Sequence, residues 1–244
     1  MKKCIFRRAF AAGVLICMGC VIYLKVGGVA GAVLFSAGLW FVVNFDAELF
    51  TGRVARDDYS AGQKLLMLLF NVLGAAACGV LICTLVDPIT DKAGQVMDDL
   101  AAWGPLTVFC KALMCGICMY LATTKAGEGS RLPHVIYGVA LFILSGYAHS
   151  VAIAGYTALG LWAGMTEWSQ AGALPLEHLL AWGWVLPVAA LGNAVGSWII
   201  RWLLSMPRPK ASRTVPEAAP ETAAVTAPAP NATSGTNAER SETP

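Results

Sequence analysis

Charge is scarce in this chain. Only 13% of its 244 residues are Asp, Glu, Lys or Arg, whereas soluble domains carry about 25%. Beside 57% hydrophobic residues, that shortage excludes an ordinary soluble domain and leaves an integral membrane protein. The net charge of +2 carries no nucleic-acid signal. Histidine is scarcer still, at three: His134, His149 and His178. A haem in the membrane needs paired axial ligands. Only His149 lies deep in an apolar segment, and His134 precedes it by several helical turns, so the two cannot meet on one helix. That argues against a haem-holding redox subunit. Cysteine, by contrast, is plentiful at eight. Two Cys-x-x-Cys spacings, 17/20 and 115/118, place sulfurs on one helix face but lack polar flanks, so close helix packing is favoured over metal or redox chemistry.

Six apolar stretches stand out, at 9–24, 28–50, 63–86, 105–123, 133–165 and 180–205. A spanning helix needs about 20 residues. With the N-terminus in the cytoplasm, all of the 17 Lys and Arg except Lys25, Lys92 and Lys111 fall on the inner side. The outer connections carry Asp87, Asp91, Asp98, Asp99, Glu167 and Glu177 instead. The positive-inside rule therefore predicts six spans with both termini cytoplasmic, and Trp103, Trp162, Trp168, Trp182 and Trp184 suit an outer aromatic belt. The basic, apolar N-terminus also fits a signal peptide, but removing it would break the six-span parity, so an uncleaved first helix is expected. Residues 1–205 read as one membrane domain. From residue 206 the chain turns to Pro, Ala, Thr, Glu and Ser, a composition expected to stay disordered on the cytoplasmic side.

Two polar, turn-forming breaks interrupt these stretches: Glu48-Leu49-Phe50-Thr51-Gly52 and Gly146-Tyr147-Ala148-His149-Ser150. Irregular backbone at membrane depth is tolerated where it lines a cavity or is buried in protein. Each break falls in the middle helix of a three-helix half, and each half ends in a helix with Asn-x-x-Gly, at Asn71 to Gly74 and at Asn193 to Gly196. Three helices per half force opposite orientations, so the pattern predicts an all-α protein of two inverted repeats with broken second and fifth helices.

His149 is an ionisable residue at depth and so a functional candidate, able to exchange a proton or to hydrogen-bond an anion. Thr51, in the other break, is its natural partner if the two broken helices face each other; capping of its own helix is the plainer role. Glu48 is expected to cap freed backbone amides. Phe35, Leu39, Leu49, Phe50 and Phe142 surround the breaks in sequence and read either as ordinary core or as dry constrictions around a pore.

These stretches resemble the formate/nitrite transporter family. The likeness is carried by Gly38-Leu39 through Ala47-Glu48-Leu49-Phe50-Thr51-Gly52, by His149-Ser150-Val151-Ala152, and by Pro187-Val188 with Leu191-Gly192-Asn193-Ala194-Val195-Gly196, in that order and over residues 9–205. The resemblance implies an aquaporin-like protomer of six helices, a homopentamer with one pore each, in a bacterial inner membrane. It implies passage of a small monovalent anion such as formate or nitrite, or its conjugate acid, with hydrosulfide as the runner-up and a non-conducting relative as a further alternative. No enzyme activity, cofactor or metal is expected. By position, Phe35, Leu39, Leu49, Phe50 and Phe142 would line two hydrophobic slits, His149 and Thr51 would face each other between them with His149 exchanging protons with the solute, and Asn193 would be a pathway residue. The chain departs from the family pattern at Ala148, where Glu is usual, at Gly116, where Asn is usual, at Ile153 and at Asp46. Its N-terminus is short for the gating helix of some members. The outer pore lysine of the family has a candidate in Lys92.

Overall fold

The computed structural model describes residues 5–83, 89–124, 129–168 and 176–205. The expected disordered tail from 206 onward, and Cys4, lie outside these residues. Among the described residues ten helices follow in order: α1 Ile5–Val26, α2 Gly28–Asn44, α3 Phe50–Arg53, α4 Ala61–Cys83, α5 Ile89–Ala102, α6 Gly104–Thr123, α7 Leu132–Leu144, α8 Ser150–Trp168, α9 Leu176–Trp182 and α10 Val185–Ser205. By length and composition, α1, α4, α6 and the stretch His178–Ser205 can cross a bilayer; at ~1.5 Å per residue, 20 residues cover the ~30 Å hydrocarbon core. The second and fifth apolar stretches are the two that come apart, into α2 and α3 and into α7 and α8.

The helices pair in a repeated pattern. In one half α1 packs on α4 and on α2; in the other α6 packs on α10 and on α7. Glycine sets both close approaches. A Cβ on Gly13 would overlap the carbonyl oxygen of Asn71, and one on Gly74 that of Phe10. The same exchange joins Gly116 to Asn193 and Gly196 to Leu113. Gly116 thus sits where any side chain, Asn included, would collide with α10 backbone. Buried thiols fill the same interiors, with Cys17 and Cys20 on α1 and Cys115 and Cys118 on α6 all in the core.

One connection read as an acidic loop is a helix. In α5 the buried residues are Ile89, Ala93, Met97 and Leu100, a stripe at helical spacing, while Asp91, Asp98 and Asp99 lie on its exposed side. A 14-residue amphipathic helix escapes a search for 20-residue apolar runs.

Candidate functional site

Both breaks are built on one backbone device. α2 ends as Ala47 N–H donates to Val42 O at 2.9 Å and Asp46 N–H to Val43 O at 3.4 Å. α7 ends as Tyr147 N–H donates to Phe142 O at 2.8 Å and Gly146 N–H to Ile143 O at 3.0 Å. This is the Schellman arrangement, which needs a left-handed residue after the helix. Gly146 supplies it with φ 64°, and Asp46 does so with φ 51°, a conformation that Asp tolerates better than bulkier residues.

An asparagine then staples each break. Asn71 Oδ1 accepts from Phe50 N–H at 2.8 Å, and its Nδ2 donates to Glu48 O at 2.8 Å and Ala9 O at 2.7 Å. Asn193 Oδ1 accepts from Ser150 N–H at 2.9 Å, and its Nδ2 donates to Ala148 O at 2.9 Å and Ala112 O at 2.8 Å. Broken helices free backbone groups that must find partners away from water, and each amide meets two of them while its remaining proton ties the break to a carbonyl of the neighbouring helix. Asn193, expected as a pathway residue, thus has both amide protons bonded to backbone and braces the break. The cap of α3 is likewise Asn71, correcting the reading of Glu48 as the residue that caps it. The fully buried Glu48 carboxylate instead accepts from Arg53 Nε at 3.0 Å and Tyr59 OH at 2.7 Å.

With both breaks fixed, Thr51 on α3 and His149 at the head of α8 meet. Thr51 Oγ1 and His149 Nε2 lie 2.9 Å apart and are buried. Ala152 N–H donates to His149 Nδ1 at 3.0 Å. An amide can only donate, so Nδ1 carries no proton, and the neutral ring bears its hydrogen on Nε2 and donates it to Thr51. The Thr51 hydroxyl hydrogen is left to point elsewhere.

Apolar side chains pack around this pair. The rings of Phe35 and Phe142 meet edge-on at 5.7 Å, and Phe142 stacks on His149 at 5.5 Å. Leu39 and Leu49 are buried in the same cluster. Phe50 is set apart, in a second cluster with Ala9, Val54, Met67 and Ala194, because the turn of α3 sends it toward α4 and α10.

A cavity lies at each end of α6. One, of about 180 Å³, is lined by Trp103, Tyr23, Tyr147, Tyr156, Phe142 and His149 among others, with Asp99 at its edge; it is the aromatic vestibule. The other, of about 320 Å³, is lined by Leu49, Gly52, Tyr120, Thr123, Thr124, Asp46 and four arginines, Arg53, Arg56, Arg131 and Arg201; it is the basic vestibule. Trp103 and Thr123 bracket the 20 residues of α6, about 30 Å of helix, with the Thr51–His149 pair in between. Arginines from four separate stretches converge on the basic end, where Arg8 and Arg53 both bind Asp46.

In the loop before α4, the Arg201 guanidinium beside Asp57 and the Arg56 guanidinium beside Asp58 hold both carboxyls below their usual range. Their stabilising effect is therefore complete above the ordinary carboxylate pKa and fades only as the pH falls through the depressed values. Burial, with the hydrogen bond to Glu48, pushes Tyr59 up to about 12.

Two cations near the aromatic vestibule change places with expectation. Lys92 Nζ bonds the carbonyl of Leu24 at the end of α1. Lys111 Nζ instead lies 3.3 Å from Gly146 O and 3.6 Å above the Trp103 ring, against two residues that line the cavity. The signal for it was present: a lone lysine inside an apolar helical run.

Apolar helices, two opposed cavities and one buried polar pair between them define a membrane channel or carrier. The sequence pattern described as formate/nitrite transporter matches residues 2–206, and the chain belongs to that family. Among solved structures it is similar to a "Pentameric formate channel with formate bound", at 22% identity over 82% of this chain and 96% of that one, with a TM-score of 0.68. A second, an "FNT family ion channel", is 22% identical over 83% of this chain and 90% of the other, with a TM-score of 0.66. No curated protein matches.

Proposed function

We infer that the chain conducts formate, nitrite or a similar small monovalent anion across a bacterial inner membrane, as a homopentamer with one pathway per protomer. The observation that carries this reading is the Thr51–His149 contact, buried between two cavities at opposite ends of α6. Family membership and the two channel folds give the reading its direction. The abundance of arginine at the basic vestibule supports a cytoplasmic side for that end and for both termini.

A bare anion is strongly disfavoured in the dry stretch formed by Phe35, Leu39, Leu49 and Phe142. Between them a solute meets the Thr51 hydroxyl, whose hydrogen is free to donate because its oxygen already accepts from His149. Proton exchange at His149 itself would require a proton on Nδ1 and the loss of the Ala152 bond. That bond favours passage in which His149 stays a neutral donor and the proton travels with the solute as its conjugate acid. Uptake of formate, nitrite and hydrosulfide into proteoliposomes, followed from pH 5 to 8, tests the reading. Flux of one solute should rise toward low pH and fall at least tenfold in His149→Phe. Unchanged flux in that variant would contradict it.

A further inference from the structure

We propose that the basic vestibule is a second anion site, which takes a doubly charged oxyanion of the phosphate class that is too strongly hydrated to pass the apolar plug of Phe35, Leu39, Leu49 and Phe142 and therefore blocks the pathway. The block rests on the transport reading above; the binding does not.

The donors decide the matter. Arg53 has four of its five N–H groups engaged: Nε bonds Glu48, Nη1 bonds Tyr59, and Nη2 bonds Asp46 and Ala47 O. Both terminal nitrogens of Arg201 are engaged, by Asp57 and by the Ala55 carbonyl. Arg56 binds Asp58 through Nε and Nη2, leaving Nη1 open. Arg131 has no side-chain partner among the described residues, and it lines the cavity with the hydroxyl-bearing Tyr120, Thr123 and Thr124. Asp46, the one carboxylate in the lining, is held by Arg8 and Arg53. An open guanidinium fork in a cavity suits a tetrahedral or planar oxyanion held by two parallel hydrogen bonds.

Size permits it. The cavity is about 320 Å³, room for a tetrahedral oxyanion together with hydrating waters when a water's share of liquid is ~30 Å³. The aromatic vestibule offers the opposite chemistry. Its charged lining residue is Asp99, bonded by Gln95, no arginine lines it, and the nearby Lys111 ammonium is covered by Trp103. A dianion is accepted at one end only, and the desolvation that hinders a monoanion at the plug hinders a dianion far more.

The test uses the full chain, purified without anionic lipid, with inorganic phosphate as the probe. Calorimetric titration should detect phosphate binding that weakens roughly tenfold in Arg131→Gln, the usual worth of a charge-assisted hydrogen bond, and is unchanged in Asp99→Asn. In phosphatidylcholine vesicles the same phosphate should slow formate flux, and Arg131→Gln should relieve the block, read in each protein as the ratio of flux with phosphate to flux without it. Equal binding in wild type and Arg131→Gln, or none in wild type, overturns the site. Retention of phosphatidylglycerol through Arg131 without phosphate binding overturns it in favour of a lipid headgroup. Arg131-dependent phosphate binding in a protein that conducts none of the candidate solutes would sustain the site and sink the transport reading.

Discussion

The break at 45–49 and the break at 145–149 share a backbone and differ in nearly every side chain. Each ends its helix with the same pair of 6→1 and 5→2 hydrogen bonds, and each is held by one asparagine that meets three backbone groups. Yet the first carries Asp46 and Glu48 where the second carries Gly146 and Ala148. The first leads into a four-residue helix and the second into one of 19 residues. What the two have in common is the answer to a membrane problem, the satisfaction of freed amides and carbonyls out of reach of water. What separates them is function. The ionic break anchors to Arg8, Arg53 and Tyr59 at the basic vestibule, and the neutral break delivers His149 to the aromatic one.

The common part breaks most easily at the asparagines. Asn71→Leu and Asn193→Leu each orphan one carbonyl and one amide of a break, so each should lower stability by about 3 kcal/mol, read as thermal unfolding in detergent. Comparable losses sustain the equivalence of the two staples; a loss in one alone ends it. The divergent part is probed next. Glu48→Ala strips Arg53 Nε and Tyr59 of their acceptor and should destabilise by about 2 kcal/mol, Asp46 still holding the guanidinium. Smallest is the left-handed position. Gly146→Ala should lose about 1 kcal/mol to backbone strain. Asp46→Gly should come out near neutral, because strain relieved there, ~1 kcal/mol, is offset by partly exposed ion pairs of similar worth. A large loss in Asp46→Gly would mean that the ion pairs, not the turn, hold the first break.

Much of this was legible in the sequence because a membrane leaves few options. Apolar length marks α1, α4, α6 and α10, polar turn residues inside apolar runs mark both breaks, and Thr51 and His149 are among the polar side chains that those breaks bury. Other features were out of reach for definite reasons. α5 is amphipathic and short, so neither length nor hydropathy flags it. The donors to Glu48 come from the turn that follows it, while the placement of Phe50 toward α4 and α10 and the bracing by Asn193 are long-range contacts that no local pattern encodes. Lys111 was visible as an oddity, but only the approach of Trp103 and Gly146 gives it a place.

The account turns on His149 as a neutral ring that donates from Nε2 to Thr51 while Nδ1 accepts from Ala152. Nitrogen-15 magnetic resonance of the labelled histidine at pH 7, in lipid bilayers, reads this directly. The account predicts a protonated Nε2 and an unprotonated Nδ1, with the Nε2 signal shifting in Thr51→Val. A proton on Nδ1, or protons on both nitrogens, would contradict it.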